Sequence, residues 1–263
     1  MKRYLRVRSR HPSHNILRSP KNRVPGDGIL CDHLALIRLG SVTESNIPIQ
    51  INSIEGVKNS KDKLLMKRCF DREGVKTAKW DVFDNFETIS EKGITFKDNQ
   101  LNFPVVIKHR RGSRNRGNTL ISNLKEFKEW FNRKDYNNYI VEQYCKHSRE
   151  YRLHVTEDGC FYTNRKLLKS DAKERWYRND SNCVWILETN EGFNKPDSWD
   201  LIVADCVKAL NAVGLDVGAC DVKVDTKGNF VVIEINSAPS FGQITAEKYK
   251  EIIPILVNKK ANK

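Results

Sequence analysis

Long apolar stretches are what this sequence most clearly lacks. No run approaches the roughly 20 apolar residues that are needed to span a bilayer. The basic start MKRYLRVRSRHPSHN has no apolar segment after it, so a secretory signal is not indicated. We therefore expect a cytoplasmic protein that has no membrane partner.

Paired cysteines are also missing. The seven cysteines are scattered along the chain and none forms a C-x-x-C pair, which argues against a disulfide framework and against a cysteine zinc site. A reducing compartment fits this usage best.

Acidic residues are too few to balance the basic ones. Lys and Arg number 46 against 33 Asp and Glu, which leaves a formal net charge of +13 on a chain of 263 residues. Such an excess indicates an anionic partner. Nucleic acid is one candidate, but no zinc-finger, aromatic-basic or helix-turn-helix signature supports it. The phosphates of a nucleotide would use the same charge.

The segment DVKVDTKGNFVVIEIN near the C-terminus has the pattern of a β-hairpin, with apolar residues alternating on both sides of the turn sequence TKGN. If these four residues form the loop, Asp225 faces Phe230, and Asp221 then lies directly opposite Glu234. Asn236 shares their face. The opposite face is wholly apolar and carries Val222, Val224, Val231, Ile233 and Ile235.

Two carboxylates on one face repel each other, because cross-strand Cβ atoms lie roughly 4.5 to 5.5 Å apart. A hard divalent cation would relieve this repulsion, and Mg²⁺ takes carboxylate and amide oxygens. Asp221, Glu234 and Asn236 therefore predict a Mg²⁺ site with positions open for nucleotide phosphates. Two other interpretations stay open at this point: an edge hairpin with a solvated polar face, and the carboxylate pair of a glycosidase.

A second hairpin, EYRLHVTEDGCFYTNRKLL, carries cations instead. Its Asp-Gly pair is a strong two-residue turn signal, and the resulting register places Arg152 opposite Arg165. A slip of one residue would replace Arg165 with Lys166. Glu150 lies two residues from Arg152 and shares its face. An anion between the opposed cations would relieve their repulsion, and pairing with surface acids is the alternative.

The middle of the chain predicts two helices and a strand–loop–strand unit. Behind a Ser60 cap, apolar residues at near-helical spacing predict a helix that ends at Gly74, and Asn123 caps a second helix. Lys108 ends the apolar strand FPVVIK and is expected to reach into a cleft. The loop 110–117, which precedes the strand NTLIS, holds four arginines and two glycines. Such a loop is typical either of a flap that covers phosphates or of a solvated turn.

Several motifs together resemble the ATP-grasp superfamily. They are SKDKLLMKRCF, VVIK before the glycine-containing loop, IVEQYC, REYRLHV, NRK, and DVKVD followed by VIEINSAPS. Within the superfamily, the chain looks most like phage-type carboxylate-amine ligases, relatives of D-alanine-D-alanine ligase and of the enzyme that adds glutamate to a ribosomal protein. The resemblance extends from about residue 35 to the end.

The resemblance implies an α+β fold in which two α+β subdomains clamp ATP, preceded by a small N-terminal lobe. We expect the lobe at 1–57, the first subdomain with its flap at 58–138, and the second subdomain with the metal site at 139–263. The implied cofactors are ATP and Mg²⁺, or Mn²⁺ in its place. If a phage encodes the chain, the host cytoplasm is the expected location.

The resemblance also assigns roles in ATP binding to individual positions of this chain. The residues that would contact the phosphates are Lys63, Lys108 and Ser113, together with the rest of the flap. The residues that would line the adenine pocket are Glu142, Gln143 and Cys145, the last two through backbone groups. Glu150 would bind the ribose hydroxyls.

The remaining implied roles concern the reaction. Arg152 with Arg165 or Lys166 would hold the γ-phosphate and the transferred group. The Mg²⁺ ligands would be Asp221, Glu234 and Asn236, and the turn SAPSFG would position the acyl centre.

The implied reaction forms an amide bond from a carboxylate and an amine through an acyl phosphate, and releases ADP and phosphate. The substrates would be amino acids, peptides or a protein terminus, and the arginine-rich flap indicates that one of them is acidic. The alternative is a catalytically inactive relative, or a basic nucleic-acid-binding or phage accessory protein that kept the fold. A glycosidase would not need the lysines and arginines.

Overall fold

The computed structural model describes residues 3–4, 6–8, 29–113, 115–132, 135–179 and 181–263. Its strands are β1 (Arg3–Tyr4), β2 (Arg6–Arg8), β3 (Leu30–Cys31), β4 (Ala35–Arg38), β5 (Ile49–Ile51), β6 (Trp80–Val82), β7 (Phe86–Ile89), β8 (Gly93–Phe96), β9 (Asn99–Asn102), β10 (Val105–His109), β11 (Asn118–Ile121), β12 (Tyr139–Gln143), β13 (Arg149–Thr156), β14 (Gly159–Leu168), β15 (Cys183–Leu187), β16 (Val217–Val224) and β17 (Phe230–Asn236). Its α-helices are α1 (Ile54–Lys61), α2 (Lys63–Glu73), α3 (Leu124–Phe131), α4 (Trp199–Val213) and α5 (Gln243–Ala261).

The largest sheet is antiparallel and has the order β15-β14-β13-β16-β17. Helices α1, α2 and α4 cover one face of it, because each strand turns alternate apolar residues toward them. In β16 these are Cys220, Val222 and Val224, all fully buried. The intervening side chains point to the other face, where the polar residues of both predicted hairpins lie with the exception of Arg165.

A second antiparallel sheet has the order β11-β10-β12-β6 and packs against α3 and the small sheet β7-β8-β9. Asn123 caps α3 as predicted, since its side chain accepts a hydrogen bond from the N–H of Glu126 at 3.0 Å. Val105 and Ile107 of β10 lie in this aromatic-rich core. Val106 and Lys108 therefore face the opposite way, toward the largest sheet.

The N-terminal strands share a core with the C-terminal helix. Parallel strands β2, β4 and β5 form a sheet, and all four residues of β4 are buried. Buried parallel strands need cover, and α5 supplies it through residues such as Tyr249 and Ile253. No helix among the described residues is long and apolar enough to cross a membrane.

The predicted helix near Ser60 begins later than expected. Ser60 lies inside α1, and Asp62 is the N-cap of α2, where its side chain accepts a hydrogen bond from the N–H of Leu64 at 3.0 Å. The prediction of the Ser60 cap was wrong because Ser60 belongs to the preceding helix, α1, and only Asp62 separates the end of α1 from the start of α2. Gly74 ends α2 in the left-handed conformation, as predicted (φ 64°).

The hydrophobic cores combine segments that are distant in the chain. Helix α2 falls within the segment 58–138, yet its Met66 and Phe70 are buried in the core of the largest sheet. Strand β12 begins the segment 139–263, yet it pairs with β10 and β6 in the second sheet. Turn and breaker residues mark loops along the chain, but they do not say which sheet a strand joins.

Candidate active site

The carboxylate hairpin is formed by β16 and β17, and Asp221 pairs with Glu234 as predicted. The turn differs from the prediction, because Phe230 pairs with Val224 and not with Asp225. Asp225 belongs to the loop, where its Oδ1 accepts hydrogen bonds from the N–H groups of Lys227 (2.8 Å) and Asn229 (2.9 Å).

At the turn the observed register is shifted by one residue from the predicted one. A β-bulge between Asp221 and Val222 cancels this shift, so that Asp221 again pairs with Glu234. The extra residue is Ile233, which faces the cleft instead of the core. The predicted apolar face was therefore partly wrong, since Phe230, Val232 and Ile235 are the residues of β17 that enter the core.

The cationic hairpin, β13 and β14, has a different register from the predicted one. Arg152 pairs with Asn164, and Arg165 pairs with Tyr151. The turn is closed by Thr156 and Gly159, and a bulge between His154 and Val155 then shifts the pairing by one residue. The predicted opposition of Arg152 and Arg165 was thus wrong.

Arg165 lies on the helix-covered side of the sheet. Its Nη1 donates a hydrogen bond to the carbonyl of Gly192 at 2.8 Å, and it does not line the cleft. The alternative, Lys166, does face the cleft.

Pairing across the sheet arranges the polar side chains of this face in two rows that run perpendicular to the strands. One row contains Lys166, Glu150 and Lys223, and the other contains Asn164, Arg152, Asp221 and Glu234.

Asp221 is held by two cations. Arg152 donates to both of its oxygens, at 2.8 and 2.9 Å, and Lys166 Nζ lies 2.8 Å from Oδ2. Burial raises the pKa of Asp221, but the charges of Arg152 and Lys166 outweigh it and lower the pKa to about 2. The repulsion between Asp221 and Glu234 is therefore relieved in part by side chains, which the sequence interpretation assigned to a metal alone.

Glu234 has different surroundings. Its Oε1 accepts a hydrogen bond from Asn236 Nδ2 at 3.2 Å, and among the described residues no cation lies within 4 Å of it. The part of the chain that the structure describes has no group of three His, Cys, Asp or Glu side chains that could hold a metal. The donor set here is two carboxylates and the free amide oxygen of Asn236, which are the hard oxygen ligands that suit Mg²⁺.

Lys108 lies in a buried ion-pair network that bridges the two main sheets. Glu142 Oε1 is 2.9 Å from Lys108 Nζ, and its Oε2 is 3.1 Å from the Nζ of Lys67 on α2. Burial raises the pKa of Glu142, but the two lysines outweigh it and lower the pKa to about 2. The carboxylate of Glu142 is therefore engaged by lysines, and Lys67 is a residue that the sequence interpretation missed.

The residues assigned to the adenine pocket follow Glu142 directly. Gln143 turns its side chain away to bond with the backbone of Asn102 and Pro104, at 2.8 to 3.1 Å. Gln143, Tyr144 and Cys145 all line the cleft. The backbone N–H groups of Gln143 and Tyr144 already donate to the carbonyls of Lys79 (2.8 Å) and Pro104 (3.3 Å), so a purine base would meet the other backbone groups of this segment.

Glu150 is surrounded by basic side chains. Its Oε1 lies 2.8 Å from Lys166 Nζ, and its Oε2 lies 3.3 Å from His147 Nε2 and 3.9 Å from Arg178 Nη1. Burial raises the pKa of Glu150, but Lys166 and the hydrogen bond from His147 outweigh it, so the pKa lies well below its usual range.

Lys223 and Trp185 are further residues of the cleft that the sequence interpretation missed. Lys223 lies two residues after Asp221 on the same face, a signal that was present in the sequence. Trp185 pairs with Lys166 across β14 and β15, and its ring lies 5.1 Å from Arg152 Cζ and 5.7 Å from Lys166 Nζ. No local pattern predicted that Trp185 would meet these cations.

These side chains border one cleft of about 950 Å³ between the two main sheets, within the size range of ligand sites. Among the residues that the structure describes, ten Lys and Arg side chains line it, against five Asp and Glu. Of the positions expected to form the site, the cleft contains Lys63, Lys108, Ser113, Glu142, Gln143, Cys145, Glu150, Arg152, Lys166, Asp221, Glu234 and Asn236.

No protein-family model matches the chain, and no curated protein sequence matches it. Several solved structures do. The chain is similar to D-alanine–D-alanine ligase from Bacillus anthracis, with a TM-score of 0.61 at 15% identity, over 88% of this chain and 82% of that one. A structure of the same enzyme complexed with ATP aligns with a TM-score of 0.60 at 13% identity, over 87% and 79% of the two chains.

Two other ligase-type enzymes match over a smaller share of their length. N5-carboxyaminoimidazole synthetase from Staphylococcus aureus, complexed with ADP, aligns with a TM-score of 0.61 at 16% identity, over 85% of this chain and 60% of that one. L-amino acid ligase from Bacillus licheniformis aligns with a TM-score of 0.51 at 14% identity, over 73% and 44%. The expected fold is confirmed: the chain has the mixed α and β architecture of the ATP-grasp fold.

Proposed function

We propose that the protein is an ATP- and Mg²⁺-dependent ligase that joins a carboxylate to an amine and releases ADP and phosphate. The observation that carries this proposal is the cleft, where ten cationic side chains meet two facing carboxylates, Asp221 and Glu234. An excess of positive charge suits a polyphosphate, and a facing pair of carboxylates suits a divalent cation. The fold shared with structures that contain ATP and ADP supports the same reading.

ATP would lie along the cleft with its base beside the backbone at 143–145 and its sugar beside Glu150. Its phosphates would then reach Lys63, Lys108 and Ser113 of the flap. Lys63 and Lys108 come from opposite sides of the cleft, since α2 packs on the largest sheet and β10 belongs to the second sheet. Two ammonium groups from two bodies can hold one polyphosphate in a fixed direction.

The residues that would hold Mg²⁺, or Mn²⁺, are Asp221, Glu234 and Asn236. When bound, the ion would supply positive charge that neutralises the negative charge developing on the transferred phosphate group. Asp221 would share its oxygens between the ion and the cations Arg152 and Lys166, which are already within 2.9 Å of it.

In the first step, an oxygen of the substrate carboxylate attacks the γ-phosphorus, the bond to the β,γ-bridging oxygen breaks, and ADP leaves. The product is an acyl phosphate. Arg152 and Lys166 lie on the face of the sheet where the outer phosphates would be, so they would hold the transferred group. Arg165 has no part in this step because it lies on the other side of the sheet.

In the second step, an amine attacks the acyl carbon, the nitrogen gives up a proton to solvent or to the departing phosphate, and phosphate leaves with its bonding electrons, which gives the amide. The tetrahedral intermediate carries an oxyanion, so cationic side chains or N–H donors must lie near the acyl carbon. The turn at 237–240 lines this end of the cleft, next to Asn236. It would position the acyl group.

One substrate would carry an additional negative charge. The cleft has more cations than bound MgATP can balance, and Arg111 and Arg116 of the flap line it together with Lys58 and Lys61 of α1. An amino acid, peptide or protein terminus with an acidic side chain would complement these groups.

The test is a product screen. The protein is incubated with ATP, Mg²⁺ and pools of amino acids and peptides, and each reaction is scored for phosphate release and for a product whose mass equals both substrates minus water. We expect acidic pools to give ADP, phosphate and such a product. If no pool gives phosphate and the protein does not bind MgATP, the proposal fails and a non-catalytic role of the fold takes its place.

A further inference from the structure

We infer that a clip between the α1–α2 junction and the root of the flap positions the flap over the ATP phosphates. The flap clip consists of Asp62 and Lys63 on the helix side and Arg110 and Gly112 on the flap side. It rests on the proposed function, because it assigns a positioning role within the same site. Two of its members, Asp62 and Arg110, would act without touching the nucleotide.

Asp62 is the centre of the clip. Its Oδ1 accepts from Arg110 Nε at 3.1 Å and its Oδ2 accepts from Arg110 Nη2 at 2.8 Å. This is the bidentate geometry that makes Arg–carboxylate pairs both strong and directional. The Asp62 side chain is 7% exposed and that of Arg110 is 28% exposed, so the carboxylate is shielded from solvent while the guanidinium is partly accessible.

The same carboxylate also caps α2 through the N–H of Leu64. Burial raises the pKa of Asp62, but the hydrogen bond and charge of Arg110 and the helix N–H groups outweigh it, so the pKa lies below its usual value. The carboxylate thus stays ionised and fixes Arg110 to the start of the helix.

Lys63, which follows Asp62 in the chain, makes two further contacts with the flap. Its backbone N–H donates to the carbonyl of Arg110 at 2.9 Å, and its Nζ donates to the carbonyl of Gly112 at 2.5 Å. The main chain of the flap and the ammonium of Lys63 are therefore held side by side. Any phosphate that reaches one of them also meets the other.

The clip joins elements that belong to different cores. Met66 and Phe70 of α2 pack under the largest sheet, whereas Val105 and Ile107 of the strand before the flap pack in the second sheet. A loop anchored only at its own strand ends would sample many positions over the cleft. The bond from Arg110 to Asp62 limits this freedom before the nucleotide binds, together with the contacts of Lys63 and the hydrogen bond from the Arg110 N–H to the carbonyl of Asn138 (2.9 Å), and this lowers the entropy lost on binding.

Arg110 differs in this respect from its neighbour. Arg111 is 81% exposed and lies 3.7 Å from Asp62, so its guanidinium is available to a ligand. The guanidinium of Arg110 is committed to Asp62. Of the flap arginines that the structure describes, Arg110 is therefore a positioning residue, whereas Arg111 and Arg116 line the cleft.

Two variants separate the clip from the helix cap. Asp62→Asn keeps a side-chain oxygen that caps a helix as well as aspartate does, but it loses the charge that holds Arg110. Arg110→Gln removes the other partner. The matched control is Arg72→Gln, which breaks an exposed ion pair of 3.0 Å to Glu73 at the far end of the same helix.

Binding of MgATP is compared with binding of adenosine by calorimetry. Both clip variants should raise the Kd for MgATP about tenfold and leave the Kd for adenosine unchanged, because the flap covers only the phosphates. The control should bind both ligands as the wild type does. A general structural defect would weaken both ligands together, which would overturn the positioning role.

Limited trypsin digestion tests the flap directly, since its arginines are cleavage sites. Cleavage within the flap should be about tenfold faster in Asp62→Asn and Arg110→Gln than in the wild type without ligand. Arg110→Lys should show an intermediate rate because a lysine cannot form the bidentate pair. Wild-type MgATP affinity and wild-type cleavage in both variants would overturn the clip alone, whereas a wild type that binds no MgATP would overturn the proposed function beneath it.

Discussion

The two carboxylates of the β16–β17 hairpin face each other, yet their partners differ. Asp221 accepts hydrogen bonds from Arg152 and lies 2.8 Å from Lys166 Nζ, whereas Glu234 contacts the amide of Asn236 and no cation among the described residues lies within 4 Å of it. Removing the charge of Asp221 breaks the bidentate ion pair with Arg152 and leaves Glu150 as the nearby carboxylate of Lys166. Removing that of Glu234 breaks no ion pair within 4 Å among the described residues, although Lys63 and Lys108 lose a longer-range attraction.

We therefore expect the two substitutions to differ in stability but not in turnover. Glu234→Gln should abolish ATP-dependent phosphate release and change the free energy of unfolding by less than about 0.5 kcal/mol. Asp221→Asn should also abolish release but destabilise the fold by about 3 kcal/mol. Urea unfolding and a phosphate assay on both proteins measure this. Wild-type phosphate release by Glu234→Gln would mean that Glu234 is only a polar surface residue.

Glu142 supports a second prediction about a single residue. It is buried between Lys67 and Lys108 at 3.1 and 2.9 Å. Glu142→Gln should lower the free energy of unfolding by about 3 kcal/mol, since two buried ammonium groups then share a neutral partner. The control Glu73→Gln, at an exposed pair with Arg72, should cost less than about 1 kcal/mol.

The same residue predicts a dependence on pH. The pKa of Glu142 falls from 4.5 to about 2 in the folded protein. A depressed pKa means that its stabilising effect is complete above about pH 4.5 and is lost as the pH falls toward 2. The difference in unfolding free energy between wild type and Glu142→Gln should therefore shrink across this window. A difference that stays constant would show that Glu142 is not ionised through these lysines.

At the scale of elements, the contact of α1 with the end of α4 depends on a missing side chain. A Cβ added to Gly56 would lie 2.1 Å from the carbonyl oxygen of Gly214, which is backbone and cannot turn aside. Gly56→Ala should destabilise the protein by about 2 kcal/mol or more, because the helix must move away from α4. At Gly242 an added Cβ meets nothing within 4 Å, so Gly242→Ala should cost less than about 1 kcal/mol. Thermal unfolding of the two variants compares them, and equal losses would contradict the packing argument.

The sequence was informative about elements and less so about how they pair. Alternation and turn residues predicted both hairpins, and Asp221 was correctly paired with Glu234. That pairing holds only because the bulge at Ile233 offsets a one-residue error at the turn. In the other hairpin the bulge did not restore the predicted pairing, so Arg165 was wrongly expected in the cleft. Bulges are set by packing of the whole sheet and have no clear local signal.

The same limit applies to the candidate site. Lys63, Lys108 and Glu234 were predicted from local motifs and all border the cleft. Trp185 and Arg178 come from the segment after β14, which no motif linked to the site, and only the order of the strands brings them to Lys166 and Glu150. Contacts between distant segments follow from the fold and not from local spacing.

At the scale of the whole molecule, the cleft lies between two bodies, the largest sheet with its helices and the second sheet with α3. The Lys67–Glu142–Lys108 network and the flap clip already join them. A nucleotide that contacts both bodies should stabilise the complete fold by mass action. At a MgATP concentration 100 times the Kd, we expect about 2.7 kcal/mol of added stability and a higher Tm. An unchanged Tm at saturating MgATP, together with no heat of binding, would contradict a nucleotide site.

On the proposed function, the arrangement of charge in the cleft would also select which phosphorus is attacked. Arg152 and the facing carboxylates lie one row beyond Glu150, and Lys166 reaches from Glu150 to Asp221, so charge would be available where the γ-phosphate would lie. The measurement that tests this most directly is transfer of ¹⁸O from a labelled carboxylate substrate during ATP- and Mg²⁺-dependent turnover. Attack on the γ-phosphorus predicts that the label appears in inorganic phosphate, with ADP as the nucleotide product. Label recovered in AMP would contradict the acyl-phosphate mechanism and the roles of these residues.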